Sequence, residues 1–136
     1  MTTPLAAAPD AEILAINYLT TALAARGETA TVGVIIPTTT TWTGSTKFIQ
    51  VALDGTPIVE YPVMERASVR VTAWAGSTTE AKRLCRLVLG LLCSHPGGSG
   101  VGSIRPLTGC LPTKDPTTDA QLATGSVQMN LRMSVL

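Results

Sequence analysis

Charge is scarce in this 136-residue chain: Asp, Glu, Lys and Arg make up 14% of it, against about 25% in an average soluble domain. Ten basic and nine acidic side chains nearly cancel, leaving +1, so the overall charge supplies no drive toward strong nucleic-acid binding. Aromatic residues are scarcer still at 4%, which weighs against a module that stacks bases. No apolar run approaches the roughly 18 residues of a membrane span. Cys85, Cys93 and Cys110 are odd in number and lack metal-site spacing. They read as packed thiols in a reducing compartment rather than a disulfide framework. The opening residues, MTTPLAAAPDAE, have no basic stretch of the kind that begins a secretory signal. The expectation is a soluble cytoplasmic product.

What is present is an ordinary globular content of apolar residues, 45%, enough for one domain over residues 1–136 that folds without staples. Residues 1–9 are expected to form a flexible tail. Asp10 can cap a helix reaching about Ala25, with Ile13, Ile16, Leu19 and Leu23 on one stripe and Gly27 past its end. TVGVIIP (31–37) reads as a short strand, and KFIQVALDG (47–55) as an alternating one closed by an Asp54-Gly55 turn. TPIVEYPVME carries two prolines and reads as a loop packed on the fold or an arm reaching out of it.

SVRVTAWAGSTTEAKRLCRLVLGLL (68–92) then joins two periodicities. Val69, Val71 and Ala73 alternate with Ser68, Arg70 and Thr72. After Gly76, Ser77 and Glu80 have the spacing of a capping box. Ala81, Leu84, Cys85, Val88 and Leu92 form the buried stripe of the helix that follows, with Lys82, Arg83 and Arg86 opposite. VGSIRPLTGC is a weaker strand interrupted by Pro106, and LPTKDPTTDAQ reads as a loop. The clearest strand comes last, with Val127, Met129, Leu131, Met133 and Val135 alternating against Gln128, Asn130, Arg132 and Ser134. The sum is an α+β domain: a mostly antiparallel sheet of about five strands flanked by two main helices.

Catalytic raw material is thin. His95 stands alone where a helix ends against Pro96, and Cys85 and Cys93 lie two helical turns apart, too far for a shared metal or disulfide. GGSGVG (97–102) follows a helix and precedes none, so it is a plain loop rather than a phosphate cradle. No catalytic, cofactor-binding or metal-binding residues are assigned, no cofactor is expected, and the chain is not read as an enzyme. The residues singled out are candidates for an interface: Trp42 in a Thr-rich loop, Trp74 on the polar side of its strand, and the basic Arg70, Lys82, Arg83 and Arg86.

The order of these features resembles the tail terminator proteins of long-tailed bacteriophages. An N-terminal helix leads. ERASVRVTAWAGSTTEAKRLCRLVLGLL is similar to the family's Trp-ending strand and Ser/Thr-capped helix with "EA" in its first turn. LPTKDPTTDAQLATGSVQMNLR is similar to its Pro-Asp-Pro-type loop and long final strand, although only the Asp115-Pro116 half of that loop matches.

The resemblance implies a structural virion protein without enzymatic activity. It would form a homo-hexameric ring at the head-proximal end of the tail tube, assembled in the host bacterial cytoplasm. That ring would contact the major tail tube protein on one side and the head-tail connector protein on the other, with genomic DNA only passing through its lumen and no membrane involved. A related head-tail connector or neck protein shares the architecture. Two other classes stay open: a small ligand-binding or enzymatic α+β domain with a pocket under TPIVEYPVME, and a nucleic-acid module using Arg70, Lys82, Arg83 and Arg86.

Overall fold

The computed structural model describes residues 3–35, 47–115 and 120–136. The chain runs β1 (Ala6–Ala7), α1 (Ala11–Ala25), β2 (Thr31–Gly33), β3 (Phe48–Glu60), β4 (Met64–Ala75), α2 (Thr78–Cys93), β5 (Val101–Lys114), β6 (Gln121–Arg132) and β7 (Ser134–Val135). Strands β2 to β6 form one sheet in the order β2-β3-β4-β6-β5, parallel only between β2 and β3. The fold is α+β, and both helices contribute to the core that covers one face of this sheet.

Each helix begins where a side chain satisfies a free backbone donor. Asp10 accepts a hydrogen bond from the Ile13 N–H, and Ser77 from the Glu80 N–H. The expected stripe of α2 is the one found: Ala81, Leu84, Cys85, Val88 and Leu92 are fully buried. The stripe of α1 is the expected one in its second half, where Leu19 and Leu23 are buried. In its first half Ala11 and Ala15 take the buried positions, while Ile13 is 55% exposed and Ile16 only partly buried.

Strand alternation decides the two faces of the sheet. Ile49 and Val51 of β3, the odd-numbered residues from Ala67 to Ala75 of β4, and Ala123, Val127, Met129 and Leu131 of β6 all join the core beneath the helices. The even-numbered residues between them point to the other side, which neither α1 nor α2 covers. Pairing of β4 with β6 is unbroken from Met64↔Arg132 to Ala75↔Gln121, so the central pair is the most regular part of the molecule.

Four expectations are corrected here. TPIVEYPVME is neither loop nor arm: β3 continues to Glu60, the turn falls at Tyr61 to Val63, and β4 starts at Met64. Asp54-Gly55 is a register shift within the hairpin, with Gly55 at φ 151°, and a bulge there absorbs the residues that read as a turn. Pro106 does not end β5, an edge strand that runs on to Lys114 with register shifts along its length. Proline is tolerated there because an edge strand leaves one row of donors unused. Residues 4–7 are not a free tail. The Tyr61 hydroxyl donates to the Pro4 carbonyl at 2.8 Å and accepts from the Ala6 N–H at 2.9 Å, and β1 pairs with β7.

Candidate assembly surfaces

The basic face expected on α2 is divided by its partners. Arg83 is held by two carboxylates, Glu80 at 2.6 Å and Glu28 at 2.9 Å, and Lys47 reaches the same two, each at 3.1 Å. This tetrad ties the segment after α1 to the start of β3 and to the first turn of α2. Glu80 therefore spends its side chain on Arg83 and Lys47, and the Ser77 side of the expected capping box is the side that forms. Arg86 is exposed and Lys82 partly buried. Among the described residues neither makes an ion pair.

The tetrad sets an acid dependence. Hydrogen bonds from Arg83 and then Lys47 hold the Glu80 carboxyl down to about 2, and Arg83 lowers Glu28 as well. A carboxyl depressed in the folded state adds stability above its ordinary value, and that stability is lost as pH falls through the folded value. The melting-temperature gap between the native protein and Arg83→Gln should be widest near neutrality and should close as pH falls from about 4.5 toward about 2. A gap that stays constant over that range would show that the carboxylates are not coupled to Arg83.

Trp74 does point away from the helices, as its place in the alternation requires, yet it is only 3% exposed. Phe48 and Leu122 flank it in register on the neighbouring strands, and with Ala120 they form a second small core at this end of the sheet. The exposure on which Trp74 was an interface candidate is not found: its ring is covered within the chain. Trp42 lies outside the described residues.

Arg70 stands on the uncovered sheet face, half-exposed and 3.7 Å from Asp54. Around it the face is built from hydroxyls and amides bonded across strands. Thr72 meets Thr124 at 3.3 Å, Thr108 meets Ser126 at 2.8 Å, and the Asn130 amide donates to Ser103 at 2.6 Å. Three arginines that the sequence reading did not select share this face. Arg66 is the register partner of Asn130, Arg105 the partner of Gln128, and Arg132 follows Asn130 by two residues. The signal was present in the alternation, since Arg66 has the parity of Arg70, and Arg132 that of Gln128 and Asn130.

At the Arg132 end lies a hollow of about 580 Å³ lined by Val63, Met64, Gly102, Ser103, Asn130, Leu131, Arg132 and Met133. Gly102 keeps its floor open, and a Cβ there would sit 3.7 Å from Arg132 Nε. The hollow borders Val63 and Met64, within the segment under which a pocket was expected. Among the described residues its lining joins one arginine to a serine and an asparagine, with no carboxylate, imidazole or thiol to move a proton. Beside it, Leu5, Tyr61, Val63, Val135 and Leu136 form an exposed apolar strip about the β1–β7 ribbon, each at least half exposed.

The remaining candidate chemistry is absorbed by packing. The His95 ring lies 4.5 Å from that of Tyr18, and its Nδ1 accepts from the Gly97 N–H at 2.9 Å. Cys85 is fully buried and Cys93 and Cys110 partly so, and burial, with Cys110 nearby, pushes the Cys85 thiol up. Such a thiol packs as a small hydrophobe rather than serving as a thiolate. Among the described residues no group of three His, Cys, Asp or Glu side chains is placed to hold a metal, and no helix is long and apolar enough to cross a membrane. No protein-family model matches the chain, and no curated protein matches it.

Proposed function

We propose that this protein is a ring-forming phage tail terminator, a homo-hexamer capping the head-proximal end of the tail tube and docking the head connector. The observation that carries the reading is the strand-to-helix unit from Ser68 to Leu92, with its Trp74 ending and Ser77 cap, followed by the long final strand β6. These are the features on which the resemblance rests. The surface chemistry supports it. One side of the subunit is helical, the sheet face opposite is polar, and exposed apolar residues gather about the β1–β7 ribbon. A closed ring of identical subunits needs two dissimilar surfaces that complement each other, and an apolar strip of this kind marks a protein contact.

A terminator must match the growing tube end on one face and fail to reproduce that end on the other. Without it the tube end stays competent and length control is lost. The test is electron microscopy of a lysate from phage lacking this protein. The expected result is filled, tailless heads beside unattached tubes of variable, abnormal length. Normal-length tails joined to heads would overturn the assignment. Normal-length tails left unattached would move it to the connector position.

A further inference from the structure

We propose that the uncovered sheet face binds the phosphodiester backbone of duplex DNA through Arg66, Arg105 and Arg132, with Ser103 and Asn130 between them. The proposal names the channel-facing wall of the ring and rests on that reading for where the DNA comes from. The face itself is defined by the fold alone.

Charge on this surface is segregated in a way the net charge of +1 conceals. The helical side spends Arg83 and Lys47 on Glu28 and Glu80. On the sheet side, Arg70 has Asp54, but among the described residues no carboxylate lies within ion-pairing distance of Arg66, Arg105 or Arg132. Arg66 is partly buried, and its Nε has no hydrogen-bond partner among the described residues, a costly position for a charged group. Arg105 and Arg132 are exposed. Arg66 is the register partner of Asn130, Arg105 its diagonal neighbour, and Arg132 its same-face neighbour two residues on along β6. Their positive potentials therefore add around Asn130, while Glu60, paired with Met64, stands at the rim of the face.

A cluster of three arginines suits a polyanion better than a single carboxylate, and DNA offers a phosphate about every 3.4 Å of axis on each strand. The groups between the arginines are hydroxyls and amides, the side chains that contact phosphates without reading sequence. Among the described residues the centre of the face holds no exposed aromatic side chain. Thr72 is bonded to Thr124 and Thr108 to Ser126, whereas protein interfaces are organised around desolvated anchors in which aromatic side chains are prominent. Three unpaired arginines per subunit give weak, salt-sensitive, sequence-blind contacts, which let a duplex slide past.

Fluorescence anisotropy of the full chain with a labelled duplex oligonucleotide tests this. Binding is expected on the order of 10⁻⁵ M at low salt, with log K falling linearly against log salt. Arg66→Gln/Arg105→Gln/Arg132→Gln should weaken it at least tenfold and flatten the slope by about 0.9 for each lost contact. Because Arg66 is partly buried, Arg105→Gln/Arg132→Gln provides a second variant that changes only exposed residues, and it should show a proportionate loss. Lys82→Gln/Arg86→Gln on the helical side should bind like the native protein.

The proposal is overturned if the native chain shows no binding at low salt, or if the helix-side variant loses as much as the sheet-side one. It is equally overturned if millimolar inorganic phosphate displaces the duplex at constant ionic strength, which would make the hollow a small-anion site. None of these readouts depends on tail length, so this inference and the terminator reading can fail separately.

Discussion

Leu131→Ala should lower stability by about 2–5 kcal/mol, the range for deleting a buried leucine in a core that cannot collapse around the gap. Leu131 is 0% exposed and sits near the end of β6, where its register partners are Glu65 on β4 and Val101 on β5. The residue one place earlier is the control. Asn130 is on the opposite face, and its amide bonds to Ser103 at 2.6 Å in a partly solvated site, so Asn130→Ala should cost about 1 kcal/mol. Urea unfolding of both variants measures the difference. Equal losses would mean that the two faces of β6 have been exchanged.

That contrast rests on a pattern fully visible in the sequence, and the reason is local. β6 and α2 each carry their burial code within a single element: strict alternation in one, and a cap followed by a helical stripe in the other. The code of β6 ends where the strand does. Val127, Met129 and Leu131 are buried, Met133 only partly, and Val135 is 71% exposed on the separate β7 ribbon. Where the pattern was ambiguous, the outcome depended on partners far away in the chain. In the first half of α1 the buried residues are the alanines Ala11 and Ala15, which carry no apolar signal strong enough to outweigh Ile13. Asp54-Gly55 has the composition of a hairpin turn, but strand β4 extends far enough to pair with residues beyond it, so the same dipeptide becomes a bulge.

The surfaces follow the same rule. Parity placed Trp74 on the correct face, but its covering by Phe48, Leu122 and Ala120 depends on strand neighbours that no periodicity reveals. Arg83 has the position of a solvated helix residue and is instead tied to Glu28, 55 residues away. Conversely, Arg66, Arg105 and Arg132 are scattered along the chain and meet only because β4, β6 and β5 lie side by side. The single-element signals were legible. Clusters assembled across elements were not.

Two glycines should respond to added side chains with opposite signs. Gly125 lies in the middle of β6 on the helix-covered face. A Cβ there would meet Leu89 Cδ1 at 2.7 Å, the Thr108 carbonyl oxygen at 3.2 Å and that of Gly109 at 3.4 Å. The leucine tip can rotate away, but the two carbonyls belong to the bulged part of β5 and can yield only if that strand shifts. Gly125→Ala should therefore cost roughly 1 kcal/mol. Gly125→Val, whose extra methyls must also find room beneath α2, should cost about 1–3 kcal/mol or more, as overpacking does. Gly90 is the counterpart: it is exposed within α2, nothing lies within 4 Å of an added Cβ, and its backbone is helical. Gly90→Ala should stabilise by up to about 1 kcal/mol, because glycine is the poorer helix former. Chemical denaturation of the three variants gives the order Gly90→Ala, native, Gly125→Ala, Gly125→Val from most to least stable. A Gly125→Val protein as stable as the native one would show that α2 does not press on β6 at this point and that the helix-sheet spacing is wider than described.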